Sequence, residues 1–247
     1  MDSVDPFGQA LWDYFEGRRE GRLTFHNLDA PEYRAELPVS QFFPMARGVS
    51  AVERCALESC QGRVFDLGAG GGDHARLLVD DGFEVLAVDR SPTICGVLRR
   101  RGLRVVEKDL FRLDAAVEGL ADTLLMLGNG SGLVGTLHGL ARFFHHARTV
   151  LGPGGQVLMD SIDLTRVDPG YVHRVKAQVA PRFYGETPVR IGYAGQVGEP
   201  FPWLTIDPTT LAREGRGAGW QMEVLVRQDD GSYLARLRPD DHACRED

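Results

Sequence analysis

Lysine is nearly missing from this 247-residue chain: only Lys108 and Lys176 occur. Amine catalysis of the Schiff-base kind therefore has two candidates, and neither stands in a suggestive setting. Cysteine is scarce as well. Cys55, Cys60, Cys95 and Cys244 form no C-x-x-C pair, and in a chain that opens without an export signal they read as reduced thiols rather than staples or zinc ligands, so no metal site is expected. No stretch approaches the roughly 18 apolar residues that a bilayer crossing takes. The opening Met1-Asp2-Ser3-Val4-Asp5-Pro6 is acidic where a secretory leader is basic and then apolar. A cytoplasmic protein with no membrane partner is expected. Positive charge is in deficit too: the formal charge is −7, so the broad basic face with which a protein displaces counterions from phosphates is not expected, nor is a nucleic-acid partner. The densest basic run, Arg99-Arg100-Arg101-Gly102-Leu103-Arg104, falls where a helix should end and complements its dipole there.

What is present suits one globular unit of generous size, with 43% hydrophobic and 26% charged residues. From about residue 47 short β-branched apolar runs alternate with helical stretches, which predicts an α/β fold with a mostly parallel sheet and helices on both faces. Strands are expected at Gly62 to Leu67, Phe83 to Val88, Leu103 to Val106, Thr123 to Leu127 and Gly155 to Ile162. Helices are expected at Asp73 to Asp80, at Pro92 to Arg101 behind the N-cap Ser91, and from about Val134 to Leu151, stopped by Gly152-Pro153-Gly154-Gly155. A helix over Pro208 to Gly217 precedes two strands, Gln221 to Arg227 and Ser232 to Leu237, joined at Asp229-Asp230-Gly231 as an antiparallel hairpin.

Two segments break this alternation. Residues 1–46 begin amphipathically (Phe7, Leu11, Tyr14, Phe15) and continue to Phe42-Phe43-Pro44. Residues from about 164 to 206 carry Tyr171, His173, Phe183, Tyr184, Tyr193, Phe201 and Trp203 among prolines and glycines. Aromatics are denser there than a nucleotide-binding core needs, which predicts an N-terminal lid and an insertion that together cover a pocket on a core spanning 47–247.

Val64-Phe65-Asp66-Leu67-Gly68-Ala69-Gly70-Gly71-Gly72-Asp73 is an apolar strand running into a glycine-dense turn and then a helix. Such a turn tolerates positive φ, lets backbone come close to a ligand, and offers free N–H groups at the edge where open α/β sheets bind. Spacing separates two classes of ligand. A dinucleotide site wants G-x-G-x-x-G, yet Asp73 stands three residues after Gly70, whereas Gly68, Gly70 and Gly72 make G-x-G-x-G with Asp66 two residues ahead.

This pattern resembles the first motif of the class I S-adenosylmethionine-dependent methyltransferases, and the resemblance implies a Rossmann-like seven-stranded sheet with an antiparallel C-terminal hairpin. It also implies S-adenosylmethionine as cofactor, S-adenosylhomocysteine as product, and a cofactor site made of Asp66, Gly68, Ala69, Gly70 and Gly72 with further residues along the sheet edge. Asp89, ending Val85-Leu86-Ala87-Val88-Asp89, takes the position of the acid that receives both ribose hydroxyls, with Arg90 beside it. Asp109 takes the place of the acid that accepts from the adenine amino group, and the next backbone N–H, that of Leu110, meets the ring. The segment Leu125-Met126-Leu127-Gly128-Asn129-Gly130-Ser131-Gly132 is similar to the fourth-strand segment of glycine N-methyltransferase and its small-molecule relatives, which places Leu127 at the cofactor and makes Asn129 the candidate catalytic residue. In the family a tyrosine before the first strand often touches the methionine carboxylate, a role open to Tyr14 or Tyr33.

Methyl transfer needs mainly alignment, with the nucleophile held about 3 to 3.5 Å from the methyl. A hydroxyl acceptor would want a general base such as His26, His138, His173 or Asp160, while an amine needs only its neutral form. Asp160, Ser161 and Asp163 follow the fifth strand at the edge expected to face substrate. The expected function is transfer of a methyl group to N or O of a small molecule, natural product or peptide. Two alternatives stay open: a non-catalytic binder of the cofactor or its demethylated product, and a nicotinamide-dependent reductase. The reductase is disfavoured by the lack of Tyr-x-x-x-Lys, since Val172 and Arg104 stand four residues before the two lysines.

Overall fold

The computed structural model describes residues 5–240, so Cys244 and the acidic Met1-Asp2-Ser3-Val4 lie outside the described residues. In chain order the helices are α1 (Pro6–Phe15), α2 (Pro44–Arg47), α3 (Ala51–Ser59), α4 (Asp73–Asp80), α5 (Pro92–Arg100), α6 (Ala115–Glu118), α7 (Leu137–Val150), α8 (Leu164–Val167), α9 (Pro169–Val179) and α10 (Pro208–Gly217). The strands are β1 (Arg22–Asn27), β2 (Arg34–Pro38), β3 (Val64–Leu67), β4 (Val85–Asp89), β5 (Val105–Glu107), β6 (Ala121–Met126), β7 (Leu151–Ile162), β8 (Glu186–Tyr193), β9 (Gln196–Val197), β10 (Phe201–Leu204), β11 (Trp220–Arg227) and β12 (Ser232–Pro239).

Seven strands form one sheet in the order β11-β12-β7-β6-β3-β4-β5. The pairs from β7 through β5 are parallel, while β12 runs antiparallel to both β7 and β11. Alternation along each strand splits the core in two. Phe65, Leu67, Leu86, Val88, Leu124 and Met126 pack with Leu140, Phe143 and Phe144 of α7 and Leu211 of α10. Val64, Val85, Ala87 and Leu125 face the other way, against Ala56 of α3, Ala75 and Leu78 of α4, and Ile94 and Leu98 of α5.

The hairpin, the helix from Pro208 to Gly217 and the Ser91 cap with Pro92 behind it stand where the sequence placed them. Several boundaries differ. The helix expected from Val134 starts at Leu137, because Gly130–Val134 forms a 3-10 turn and Thr136 supplies the N-cap through Gly139 N at 2.9 Å. It ends at Val150, and β7 begins at once at Leu151, so the glycine-proline run lies inside a strand whose pairing is irregular there. Leu127 lies just beyond β6 rather than in it.

The larger departure concerns the two aromatic segments. Strands from residues 22–38 and 186–204, far apart in the chain, pair antiparallel into a second sheet of order β10-β8-β1-β2, with β9 on β8. Phe25 sits between Ala35 and Ile191 in this sheet. Its face packs toward Phe42 and Phe7 of the N-terminal segment, with ring centroids 5.9 Å apart for Phe25 and Phe42 and 5.1 Å for Phe7 and Phe42.

Candidate active site

The turn after β3 holds Gly68, Gly70 and Gly72 at φ of 71°, 51° and 79°, the left-handed region that favours glycine. It is tied to the neighbouring strand by Gly68 N and Ala69 N, which donate to Val88 O at 2.8 and 3.2 Å. Close packing fixes the turn from several sides. A Cβ on Gly71 would stand 2.8 Å from Phe43 Cε1, and one on Gly68 would stand 2.9 Å from the Leu133 methyls. Above Gly70 a Cβ would meet nothing nearer than 3.8 Å, so here the missing side chain leaves room beside the backbone rather than relieving a clash.

Three carboxylates gather below and beside this turn. Asp89, nearly buried at the end of β4, accepts from Ser91 N at 2.9 Å and from Gly70 N at 3.4 Å. Burial pushes its pKa up to about 6, against the pull of those two N–H groups. Asp66 at the end of β3 is also buried and raised to about 6 by burial, with His74 opposing and Asp89 adding to the rise. Its Oδ2 has no hydrogen-bond partner. A buried orphan carboxylate oxygen beside a glycine cradle suits a cationic, polar ligand. Asp109 stands close by, since Lys108 N donates to Asp89 O at 3.0 Å. Its Oδ1 accepts from Phe111 N at 2.9 Å, which caps the 3-10 turn Leu110–Arg112. Leu110 is half-buried in that turn, and Arg90 is exposed past the end of β4.

The next edge position is the turn after β6. Asn129 adopts the left-handed conformation, φ 60° and ψ 53°. Its amide is engaged on both ends: Oδ1 accepts from Ser161 Oγ at 3.2 Å, and Nδ2 donates to Thr205 Oγ1 at 3.3 Å. One hydroxyl donor reaches the carbonyl oxygen, and one amide hydrogen remains for another partner. The second sheet docks on this turn, since Ser131 Oγ donates to Leu204 O at 2.8 Å and a Cβ on Gly132 would fall 2.0 Å from the Trp203 ring.

The base candidates are dispersed. His26 alternates with Phe25 on β1 and so faces away from the apolar side of the small sheet, with Nε2 3.3 Å from Thr24 Oγ1. His138 and His173 are exposed on α7 and α9. Both oxygens of Asp160 accept backbone N–H groups, from Gly128, Asn129 and Gly130. Asp163 caps α8 through Thr165 N at 3.2 Å. Tyr14 is buried in α1 and stacks on Phe43 with centroids 4.4 Å apart, and Arg19 lies over its other face. Tyr33 packs edge-on against Tyr171 and donates to Asp168 Oδ2 at 3.4 Å, outside the glycine turn's surroundings.

Sequence reasoning missed His74. It is the second residue of α4, just after the glycine turn, and its Nε2 lies 2.9 Å from Glu53 Oε1, which also meets Arg47 at 2.6 Å. Burial lowers its affinity for a proton, but Glu53, Asp66 and Asp160 together raise its pKa above the ordinary value. Half of the signal was present, because Ser50-x-x-Glu53 is a capping box. Asp73 was also overlooked: it binds Arg101 at 2.6 Å and Met45 N at 2.7 Å, and Arg101 reaches on to Gly71 O, so one carboxylate fastens α2 to the glycine turn.

The strand order β5-β4-β3-β6-β7-β12-β11, the glycine turn after β3 and the acids Asp89 and Asp109 at the ends of β4 and β5 define an open α/β sheet built around a nucleoside-like ligand. No family model and no curated protein matches the chain. Among solved structures it is similar to a SAM-dependent methyltransferase from Bacteroides fragilis in complex with S-adenosyl-L-homocysteine, with 34% identity, a TM-score of 0.81, and 95% of this chain and 94% of that one covered. The fold is shared with the DhpI-SAM-HEP complex, at 20% identity and TM-score 0.60 over 96% and 100% of the two chains. It is shared too with the CcbJ methyltransferase from Streptomyces caelestis, at 16% identity and TM-score 0.57 over 76% and 88%. This chain belongs to the class I S-adenosylmethionine-dependent methyltransferases. It is an enzyme of that class, and the cofactor of the family is S-adenosylmethionine.

Proposed function

We propose that the protein transfers a methyl group to the amine nitrogen of a small molecule bound at the sheet edge beside the turn after β6. The observation that carries this reading is the lack of a disengaged base at that turn: among the described residues, both oxygens of Asp160 accept backbone N–H groups, and the imidazole of His74 is bonded to Glu53. An amine in its neutral form needs no deprotonation before attack, whereas a hydroxyl does. When bound, S-adenosylmethionine supplies an electrophilic sulfonium methyl, to which an amine lone pair bonds as the carbon–sulfur bond breaks and the sulfur keeps that bond's electrons.

The residues then divide the work. Asp89 offers two carboxylate oxygens to the ribose diol, Gly70 admits the ligand close to backbone in the turn that Gly68, Ala69 and Gly72 shape, and Asp66 turns its orphan oxygen to the amino-acid end. Asp109, Leu110 and Leu127 line the adenine and methyl ends, with Arg90 at the rim. Tyr14 holds α1 on Phe43 above the turn. Asn129 gives its remaining amide hydrogen to an oxygen of the acceptor. The N-terminal segment and the insertion exclude water from the transfer, and the acidic charge favours a small metabolite over nucleic acid. The test is incubation of the protein with methyl-labelled S-adenosylmethionine and the small-molecule fraction of host extract. Label in a basic, acid-extractable product is expected, and label in esters or ethers alone would overturn the assignment to nitrogen.

A further inference from the structure

Asp160 is 9% exposed near the end of β7, and among the described residues no arginine or lysine pairs with it. Three successive backbone N–H groups point at it instead. Gly128 N and Asn129 N donate to Oδ2 at 3.2 and 3.1 Å, and Gly130 N donates to Oδ1 at 2.6 Å. Consecutive N–H groups converging in this way form an anion-binding concavity, here filled by a side chain of the protein itself. The arrangement requires the left-handed conformation of Asn129, which costs a non-glycine residue about 1 kcal/mol or more. Ser161, the next residue, takes hold of the same turn from the side, donating to Asn129 Oδ1 at 3.2 Å. A fold that needed only to bury this end of β7 would place an apolar residue there, because an ionised carboxylate is expensive to desolvate.

We propose that Asp160 is the positioning residue for methyl transfer: its carboxylate holds the backbone of Gly128, Asn129 and Gly130 in the one geometry that presents Asn129 and the end of β6 to the acceptor. The role rests on the methyl-transfer reading of that turn. The ionised form accepts from all three donors most strongly, since protonation leaves a weaker hydroxyl acceptor on one oxygen and removes the charge. Burial pushes Asp160 up to about 6, while the three N–H groups and His74 on α4 pull it down. Tyr233 on β12 also interacts with it. The turn is therefore held at neutral pH and released as the pH falls through about 6.

Three measurements on the full chain test this. In wild-type protein the amide signals of Gly128, Asn129 and Gly130 should titrate together with one midpoint near 6, and in D160N that titration should vanish; independent or absent titration in wild type would overturn the proposal. By calorimetry, D160N should bind S-adenosylhomocysteine within about threefold of wild type, yet form labelled product from the host fraction about a hundredfold more slowly, as a misplacement of about 1 Å would cause. At saturating S-adenosylmethionine, where protonation of Asp89 no longer limits binding, its rate should also lose the acid limb near pH 6. A parallel loss of affinity and rate, or an unchanged rate in folded D160N, would overturn it. D160E keeps the charge and should restore the shared titration with a moved midpoint, so a D160N chain that failed to fold would still leave a decisive variant. Should wild type itself transfer no label, the acceptor reading fails, and the three amide midpoints still decide whether the carboxylate holds the turn.

Discussion

Asp5 and Ser91 stand 86 residues apart in the chain and share a hydrogen bond, Ser91 Oγ donating to Asp5 Oδ2. Asp5 also caps α1 through Gly8 N at 2.8 Å, and Ser91 caps α5 through Ile94 N at 3.1 Å while its own N–H binds Asp89. One bond thus joins two helix starts directly beside the carboxylate assigned to the ribose. Further along α1, Trp12 packs over Gly96 of α5 and Leu11 reaches the surroundings of Gly70.

From this latch, Asp5→Ala should cost about 1 kcal/mol through the lost cap and free α1 from the cofactor edge. Stopped-flow measurement should show S-adenosylhomocysteine leaving several-fold faster than from wild type, with little change in its rate of entry. An unchanged dissociation rate would show that α1 does not retain the ligand.

Asp89→Ala removes both acceptors assigned to the ribose hydroxyls. Hydrogen bonds to a charged group are worth about 1.5–3 kcal/mol each, so calorimetry should record a loss of S-adenosylhomocysteine affinity of at least about tenfold. Asp109→Ala should weaken binding less, because its Oδ1 serves the cap of the Leu110–Arg112 turn.

Stability and cofactor affinity should respond to pH in opposite senses. Asp66, Asp89 and Asp160 each have folded pKa values raised to about 6, so the folded chain binds their protons more tightly than the unfolded chain does. Their contribution to stability is largest at low pH and is lost as pH rises through about 6. His74, also raised, acts in the same sense. Glu53, held down to about 2 by His74, Ser50 N and Arg47 against its burial, opposes them only below the ordinary glutamate range. The midpoint of thermal unfolding should therefore rise as pH falls from 8 to about 5.5, while S-adenosylhomocysteine affinity falls as Asp89 is protonated. Parallel trends in calorimetry and thermal scans would contradict the assignment of Asp89.

Gly132→Ala should separate the two sheets without touching the glycine turn. Its Cβ would fall 2.0 Å from the Trp203 ring, and overpacking of this kind costs about 1–3 kcal/mol. Denaturant unfolding should report that loss, and amide exchange should rise through Phe201–Leu204 while calorimetric binding of S-adenosylhomocysteine stays near wild type.

The elements legible in the sequence were those whose cause is local. Strict apolar runs bounded by glycine identified the buried parallel strands, Ser91-Pro92 and Asp229-Asp230-Gly231 announced a helix start and a hairpin, and the spacing of Gly68, Gly70 and Gly72 with the following acids pointed to an adenosyl site. His74 and Asp73 were not legible in this way, because each acquires its partners from helices that precede or follow it by twenty residues or more. Asn129 and Asp160 show the same limit. Both lay at the right edge of the sheet, but only the parallel pairing of β6 with β7 brings the carboxylate beneath the three N–H groups that occupy it.

The chain order of apolar, glycine and acidic residues determined the core sheet, because strand burial and turn conformation follow from neighbours a few positions away. Tertiary structure alone decided that residues 22–38 and 186–204 share a sheet, and that this sheet leans on Gly132 and, through Thr205, on Asn129. Half-exposed strands carry no mark of which distant edge will satisfy their N–H and C=O groups, and that choice is made only when the core brings both edges within hydrogen-bonding reach.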